Sequence, residues 1–179
     1  RYQTELDSSE INLHTPFGDR VTFLAGFRWV ELHDAVRVDI ATPATFTNWD
    51  DNNHMYGGQI GTRIAFTDPR NPLSVTCAIK GGVYYNDADN VFTSTIVPSD
   101  SSSDEATAFV GDLNFTAAYQ LTSHIAIQGG YQIVRLGNVA IAADSAANTT
   151  QIPGGTSSPV DPDSWLWYHG ATAACVVTW

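Results

Sequence analysis

The last fifteen residues, Trp-Leu-Trp-Tyr-His-Gly-Ala-Thr-Ala-Ala-Cys-Val-Val-Thr-Trp over 165–179, decide how this chain is read. Counted in twos from the end, Trp179, Val177, Cys175, Ala173, Ala171, His169, Trp167 and Trp165 share one face. Thr178, Val176, Ala174, Thr172, Gly170 and Tyr168 share the other. A period of two belongs to a strand. Aromatic residues at both ends of one face, with small residues between them, suit a strand that crosses a bilayer. Such a strand needs about 9 to 11 residues of apolar exterior with aromatic anchors at the two interfaces.

The same pattern extends upstream and predicts eight strands, at about 6–14, 21–32, 35–41, 53–66, 73–86, 106–121, 124–138 and 165–179. In 21–32, Val21, Phe23, Ala25, Phe27 and Trp29 oppose Thr22, Gly26 and Arg28, although Leu24 and Val30 blur the alternation. A tight turn is placed at His33-Asp34, and a two-residue connection at Thr122-Ser123 forces an antiparallel hairpin. The connections near 33, 67–72 and 122 are short, whereas 42–52, 87–105 and 140–163 are long and, with 15–20, fall at the other end. The expected fold is therefore an all-β, antiparallel up-and-down β-barrel of about eight strands. It has short turns at one end and long loops at the other, with both termini on the short-turn side. Closure would pair 165–179 with 6–14.

Composition fits. Charged residues make up 15%, and 8 basic against 19 acidic residues give a formal charge of -11, which argues against nucleic acid as a partner. No run of apolar residues is long enough for a membrane helix. The first residue is Arg1, so the chain reads as processed or as beginning partway through a longer product. Outer-face aromatics fall into two girdles: Tyr56, Tyr85, Phe109, Trp165 and Trp167 near the long-loop end, and Trp29, Phe66, Tyr119 and Trp179 near the short-turn end. A soluble sandwich or a lipocalin-like barrel is the competing reading.

Several segments resemble a known family: Gly26-Phe27-Arg28-Trp29-Val30-Glu31-Leu32, Asn53-His54-Met55-Tyr56-Gly57-Gly58-Gln59-Ile60-Gly61, Ala118-Tyr119-Gln120-Leu121-Thr122-Ser123-His124-Ile125-Ala126, Gly130-Tyr131-Gln132 and Tyr168-His169-Gly170-Ala171. In order and spacing, from about Ser8 to Trp179, they are similar to the planctomycete-type outer-membrane β-barrel family. The resemblance implies a barrel architecture without implying a reaction or a ligand. It further implies that the terminal aromatic ends a signal read by barrel-assembly machinery. Members commonly carry additional upstream sequence, so 1–179 is read as one barrel domain, either whole or the C-terminal part of a longer chain.

Inward faces collect Glu10, Arg28, Arg37, Asp39, Arg63, Lys80 and Asp112, with Gln59, Asn114, Gln120, Gln128 and Gln132. An eight-strand interior is only wide enough for side chains to fill, and an unpaired buried charge is costly, so these charges are expected to pair into a plugged polar lumen. No cofactor, metal or catalytic group is expected. The five histidines lie on separate strands or strand ends, and His169 with Ser164 has no nucleophile motif around it. Asp87-Ala88-Asp89-Asn90 begins like a calcium loop but lacks the glycine and the closing glutamate. The sequons at Asn114 and Asn148 match by chance as readily as by purpose. Cys77 and Cys175, on strands three apart, are expected to be free thiols.

The functional expectation is a non-enzymatic barrel of the bacterial outer membrane or cell surface, structural or displaying its acidic loops. Its partners would be membrane lipid and lipopolysaccharide, barrel-assembly machinery and, as an open question, copies of itself. Two alternatives remain: a secreted barrel subunit of an extracellular filament or sheath, and a narrow channel or barrel lipid enzyme.

Overall fold

A computed structural model describes residues 1–41, 43–68 and 71–177. Seven long strands, β1 (Tyr2–Phe17), β2 (Val21–Ile40), β3 (Thr45–Ala65), β4 (Leu73–Ser94), β5 (Asp100–Gln120), β6 (Ile125–Val139) and β9 (Ser164–Val177), form one sheet in that order. Every neighbouring pair is antiparallel. The sheet curls around an interior, giving the all-β up-and-down barrel architecture that the alternation predicts. Between β6 and β9 lie a short helix, α1 (Ala142–Asn148), and a small hairpin of β7 (Thr150–Ile152) and β8 (Gly155–Ser157).

The strand boundaries differ from expectation in one decisive place. There is no turn at His33-Asp34: His33 pairs with Glu5 and Asn52, and Asp34 with Thr4 and Asp51, inside an unbroken ladder. Neither residue is a glycine, proline or asparagine, so nothing obliges the backbone to reverse there. The expected second and third strands are one strand of 20 residues.

Two corrections follow from that merger. The sequence from Phe17 to Val21 turns at the same end as the β3–β4 and β5–β6 connections, here called the turn end. Gly18, at φ 68, supplies the left-handed residue this reversal needs. The far end carries the β2–β3, β4–β5 and β6–β9 connections. Consequently β1 begins at the far end and β9 finishes at the turn end, so the two termini are not on one side. The edges β1 and β9 run in the same direction, and no backbone ladder joins them among the described residues. Their side chains meet where Thr4 Oγ1 and Tyr168 OH share a hydrogen bond.

Most of 42–52 and 87–105, read as solvated loops, is strand. β2 to β5 run for 20 to 22 residues and extend at the far end well past β6 and β9, which have 15 and 14. Polar, acidic sequence lowers intrinsic strand propensity, but a partner ladder on both sides overrides it. Within each strand the alternation assigns faces as expected. Even residues of β1, β2, β4, β5, β6 and β9 and odd residues of β3 point inward, which the register keeps in step across the sheet.

Candidate functional site in the barrel interior

Four ionised side chains from β1, β2, β4 and β5 meet across the lumen. Lys80 Nζ donates to both carboxylate oxygens of Glu10 at 2.9 Å and lies 3.5 Å from Asp112 Oδ2. Arg28 Nη1 reaches the same Asp112 oxygen at 3.4 Å, and its Nε donates to Ser8 Oγ at 2.8 Å. Two cations and two anions make the quartet neutral. Gln59 Nε2 donates to Glu10 and Asn12, and Gln132 Nε2 donates to Asp112, filling much of the remaining capacity. Asp112, with its side chain 1% exposed, keeps one oxygen, Oδ1, without a partner among the described residues.

Toward the far end an apolar layer covers this quartet. Val30, Leu32, Met55, Tyr84, Ala108, Val110, Val134, Leu136 and Val139 pack together inside the sheet, with Leu6, Leu166 and Tyr168 against them. The sequence carried the signal for this layer. Val30, which spoils the alternation of β2 when that face is taken as polar, is one of its central side chains.

Above the apolar layer sits a third level, closed by the β6–β9 connection. β6 ends at an irregularity in its ladder with β9 between Gly137 and Val139. Asn138 takes φ 57 there, a left-handed conformation that asparagine tolerates better than most residues. Its Nδ2 donates to Thr107 O, and the chain turns over the lumen. The connection is then held by buried polar side chains: Asn53 exchanges hydrogen bonds with the backbone of Ala140 in both directions, at 2.7 and 2.8 Å. The Ala142 amide donates to Asp34 Oδ2, and Ser145 Oγ donates to Asp51 Oδ2. Asn90 also donates to Asp51. On the rim, Ser158 N donates to Asp100 and Ser102 Oγ to Ser158 O. Burial pushes the Asp51 carboxyl up, and Asp34 and Asp50 add to that, while the donors Asn90 and Ser145 work against it. Tyr2, partly buried and donating to Asp34, is pushed up to about 12.

On the turn-end side of the quartet the interior opens into a polar cavity of about 460 Å³. Arg63 and His14 line it with Asn114, Thr116 and Gln128. Arg63 is thus inside the barrel without joining the quartet. Arg37 and Asp39 are displaced from their expected place. They pair with each other at 2.9 Å, 45% and 60% exposed, on the outer side of the far-end extension. With no turn at 33–34, the alternation of β2 runs straight through and places odd residues outside.

The outer face bears the aromatics. Trp29 was expected at the turn end, but it pairs in register with Tyr56, which pairs with Tyr85. It therefore joins the far-end group with Phe109, Trp165 and Trp167. Phe66 and Tyr119 lie at the turn end beside Phe17 and Phe23, whose rings are 5.8 Å apart. Trp179 lies outside the described residues. One step beyond the far-end aromatics, Asp7, Glu31, His54, Asp87 and Glu105 stand opposite one another across five strands. His54 Nδ1 is 3.6 Å from Glu31 there.

His169 bonds Tyr131 OH through Nδ1 at 2.6 Å, and Ser164 Oγ donates to Asp144, so each has a partner other than its proposed mate. Cys77 is buried and Cys175 exposed, both as free thiols. No group of three or more metal-ligating residues exists among the described residues.

The model of one protein family, described as Putative beta barrel porin-7 (BBP7), matches residues 1–179. No curated protein and no solved structure matches the chain.

Proposed function

The chain belongs to the beta barrel porin-7 family, and from that premise we propose that it is a non-enzymatic outer-membrane barrel closed to solute flow. Its role in this reading is structural or one of display, through the acidic far-end extension of β1 to β5. The observation that carries the closed lumen is the stacking of three levels: a neutral ion quartet, an apolar layer, and the β6–β9 connection bonded across the top. Water and ions would have to cross the apolar layer as well as displace the cap.

Embedding in lipid is supported by the outer wall. Leu13 is 80% exposed, Ile11 74% and Ile60 72%, with Phe23, Phe27 and Val83 also exposed on neighbouring strands, and soluble monomers rarely expose apolar side chains in extended patches. Tyr56 and Phe66, Phe109 and Tyr119, and Trp167 and Val177 are each ten residues apart along one strand or its end. That spacing matches the span of a tilted membrane strand, about 9 to 11 residues. Bilayer lipid and lipopolysaccharide would meet this wall, and barrel-assembly machinery would insert it.

Planar-bilayer recordings of the purified monomer test the closed lumen. The expected record is a baseline without sustained openings; steady large conductance steps would overturn it. A narrow conducting path is the second reading, favoured by the polar cavity at the turn end.

A further inference from the structure

Arg135 lies on the outer face near the far end of β6, opposite Trp167 in the β6–β9 ladder. Its guanidinium carbon stands 4.2 Å from the ring centre of Trp165 and 4.9 Å from that of Trp167. The seat of Trp165 is specific. A Cβ on Gly137 would fall 2.3 Å from the indole, so only glycine leaves room for the ring to lie there. Trp165 and Trp167 are 49% and 60% exposed. No carboxylate or other acceptor among the described residues reaches the Arg135 guanidinium. Arg28 and Arg37, by contrast, are each paired with an aspartate.

Two indoles hold the planar cation by its π-electron attraction, and the edges of the plane, with their N–H donors, stay free. That is the geometry in which arginine grips a phosphate through two parallel hydrogen bonds. The surrounding charge sharpens the choice of partner. One step beyond the far-end aromatics the row Asp7, Glu31, Asp87 and Glu105 repels anions, and the exposed Arg37 farther out is paired with Asp39. Arg135 and its indoles sit instead at the aromatic level, where hydrocarbon gives way to headgroups.

We propose that Arg135, Trp165 and Trp167 form a docking site for the phosphate of an anionic lipid headgroup in the leaflet facing the far end. The proposal rests on the membrane reading above. A chain of charge -11 is repelled by an anionic bilayer as a whole, so stabilisation by such lipid requires a local site.

The test refolds the full chain into vesicles of phosphatidylcholine alone and of phosphatidylcholine mixed with phosphatidylglycerol, and compares urea midpoints. The expected result is a higher midpoint in the anionic vesicles. Arg135→Gln should lose most of that gain, read as the difference between the variant's own midpoints in the two vesicles, and Arg135→Lys, a cation without the planar fork, should keep part of it. Should Arg135→Gln not fold, Trp167→Leu serves in its place, with a reduced gain expected. Equal midpoints in the two wild-type samples, or a gain untouched by these substitutions, would overturn the site. Inorganic phosphate added to neutral vesicles should leave the midpoint unchanged; if it reproduced the gain, the ligand would be free phosphate and the lipid assignment would fail. Failure of the wild-type chain to insert into neutral vesicles would defeat the membrane reading itself, a result distinct from all the others.

Discussion

Asp112 is the side chain through which the interior charges are joined. One oxygen serves Arg28, Lys80 and Gln132 together, so Asp112→Ala takes from the buried Arg28 its carboxylate partner, while Lys80 keeps Glu10, and leaves the quartet with a net positive charge beneath the apolar layer. Breaking a buried pair from one side costs about 3–5 kcal/mol, and urea unfolding of the detergent-solubilised protein should show a loss of that order. Glu10→Gln should cost less, because Glu10 is 32% exposed and its amide replacement still accepts from Lys80. At this scale the sequence was readable wherever a residue sat within an unbroken strand. Glu10, Arg28, Lys80 and Asp112 face inward because alternation over a few residues fixes the face. Arg37 and Asp39 were misassigned because a single imagined reversal flips every residue beyond it.

The β6–β9 connection is the element whose structure sequence pattern alone could not supply. Its Ala, Ser, Thr, Gly and Pro composition says loop. What makes it a cap is a set of hydrogen bonds to Asp34, Asp51, Asn53 and Asp100 on distant strands, and of these the sequence pattern puts Asp51 and Asp100 in loops, Asp34 in a turn and Asn53 alone in a strand. The cap should respond to pH through Asp51, whose folded-state pKa is raised. Below the ordinary carboxylate range both folded and unfolded chains hold the proton, and no penalty exists. As pH rises from there through the raised value, the unfolded chain gives up its proton first and the folded cap loses relative stability. The docking of α1 is therefore expected to tighten on mild acidification. Hydrogen exchange at the amides of Ala142 to Ser145, corrected for intrinsic rates, should slow as pH falls through that window. Asp51→Asn should remove the dependence.

At the scale of the molecule, the exposed apolar wall stands outside an interior that has charged and polar levels on either side of its apolar layer, an arrangement unlike that of a soluble domain. Purified protein is accordingly expected to be monodisperse only in detergent or lipid. A monodisperse sample without detergent would overturn the membrane reading, and ordered polymers in buffer would shift it to a filament or sheath subunit, which buries the same wall against protein. The overall class was legible from period-two alternation and from the placement of aromatics. The strand count was not, because the merger at His33-Asp34 depends on the neighbouring strands Tyr2–Phe17 and Thr45–Ala65 continuing alongside.

The shared direction of β1 and β9 sets an arithmetic for any closed ring. A cylinder whose neighbours all alternate in direction has an even number of members, so this sheet enters such a cylinder only in company with an odd number of further strands. Copies of this sheet alone, joined edge to edge with their far ends on one side, retain one parallel junction for every copy, whatever their number. Whether a ring contains such a junction therefore distinguishes assembly from these seven strands by themselves from assembly with additional ones.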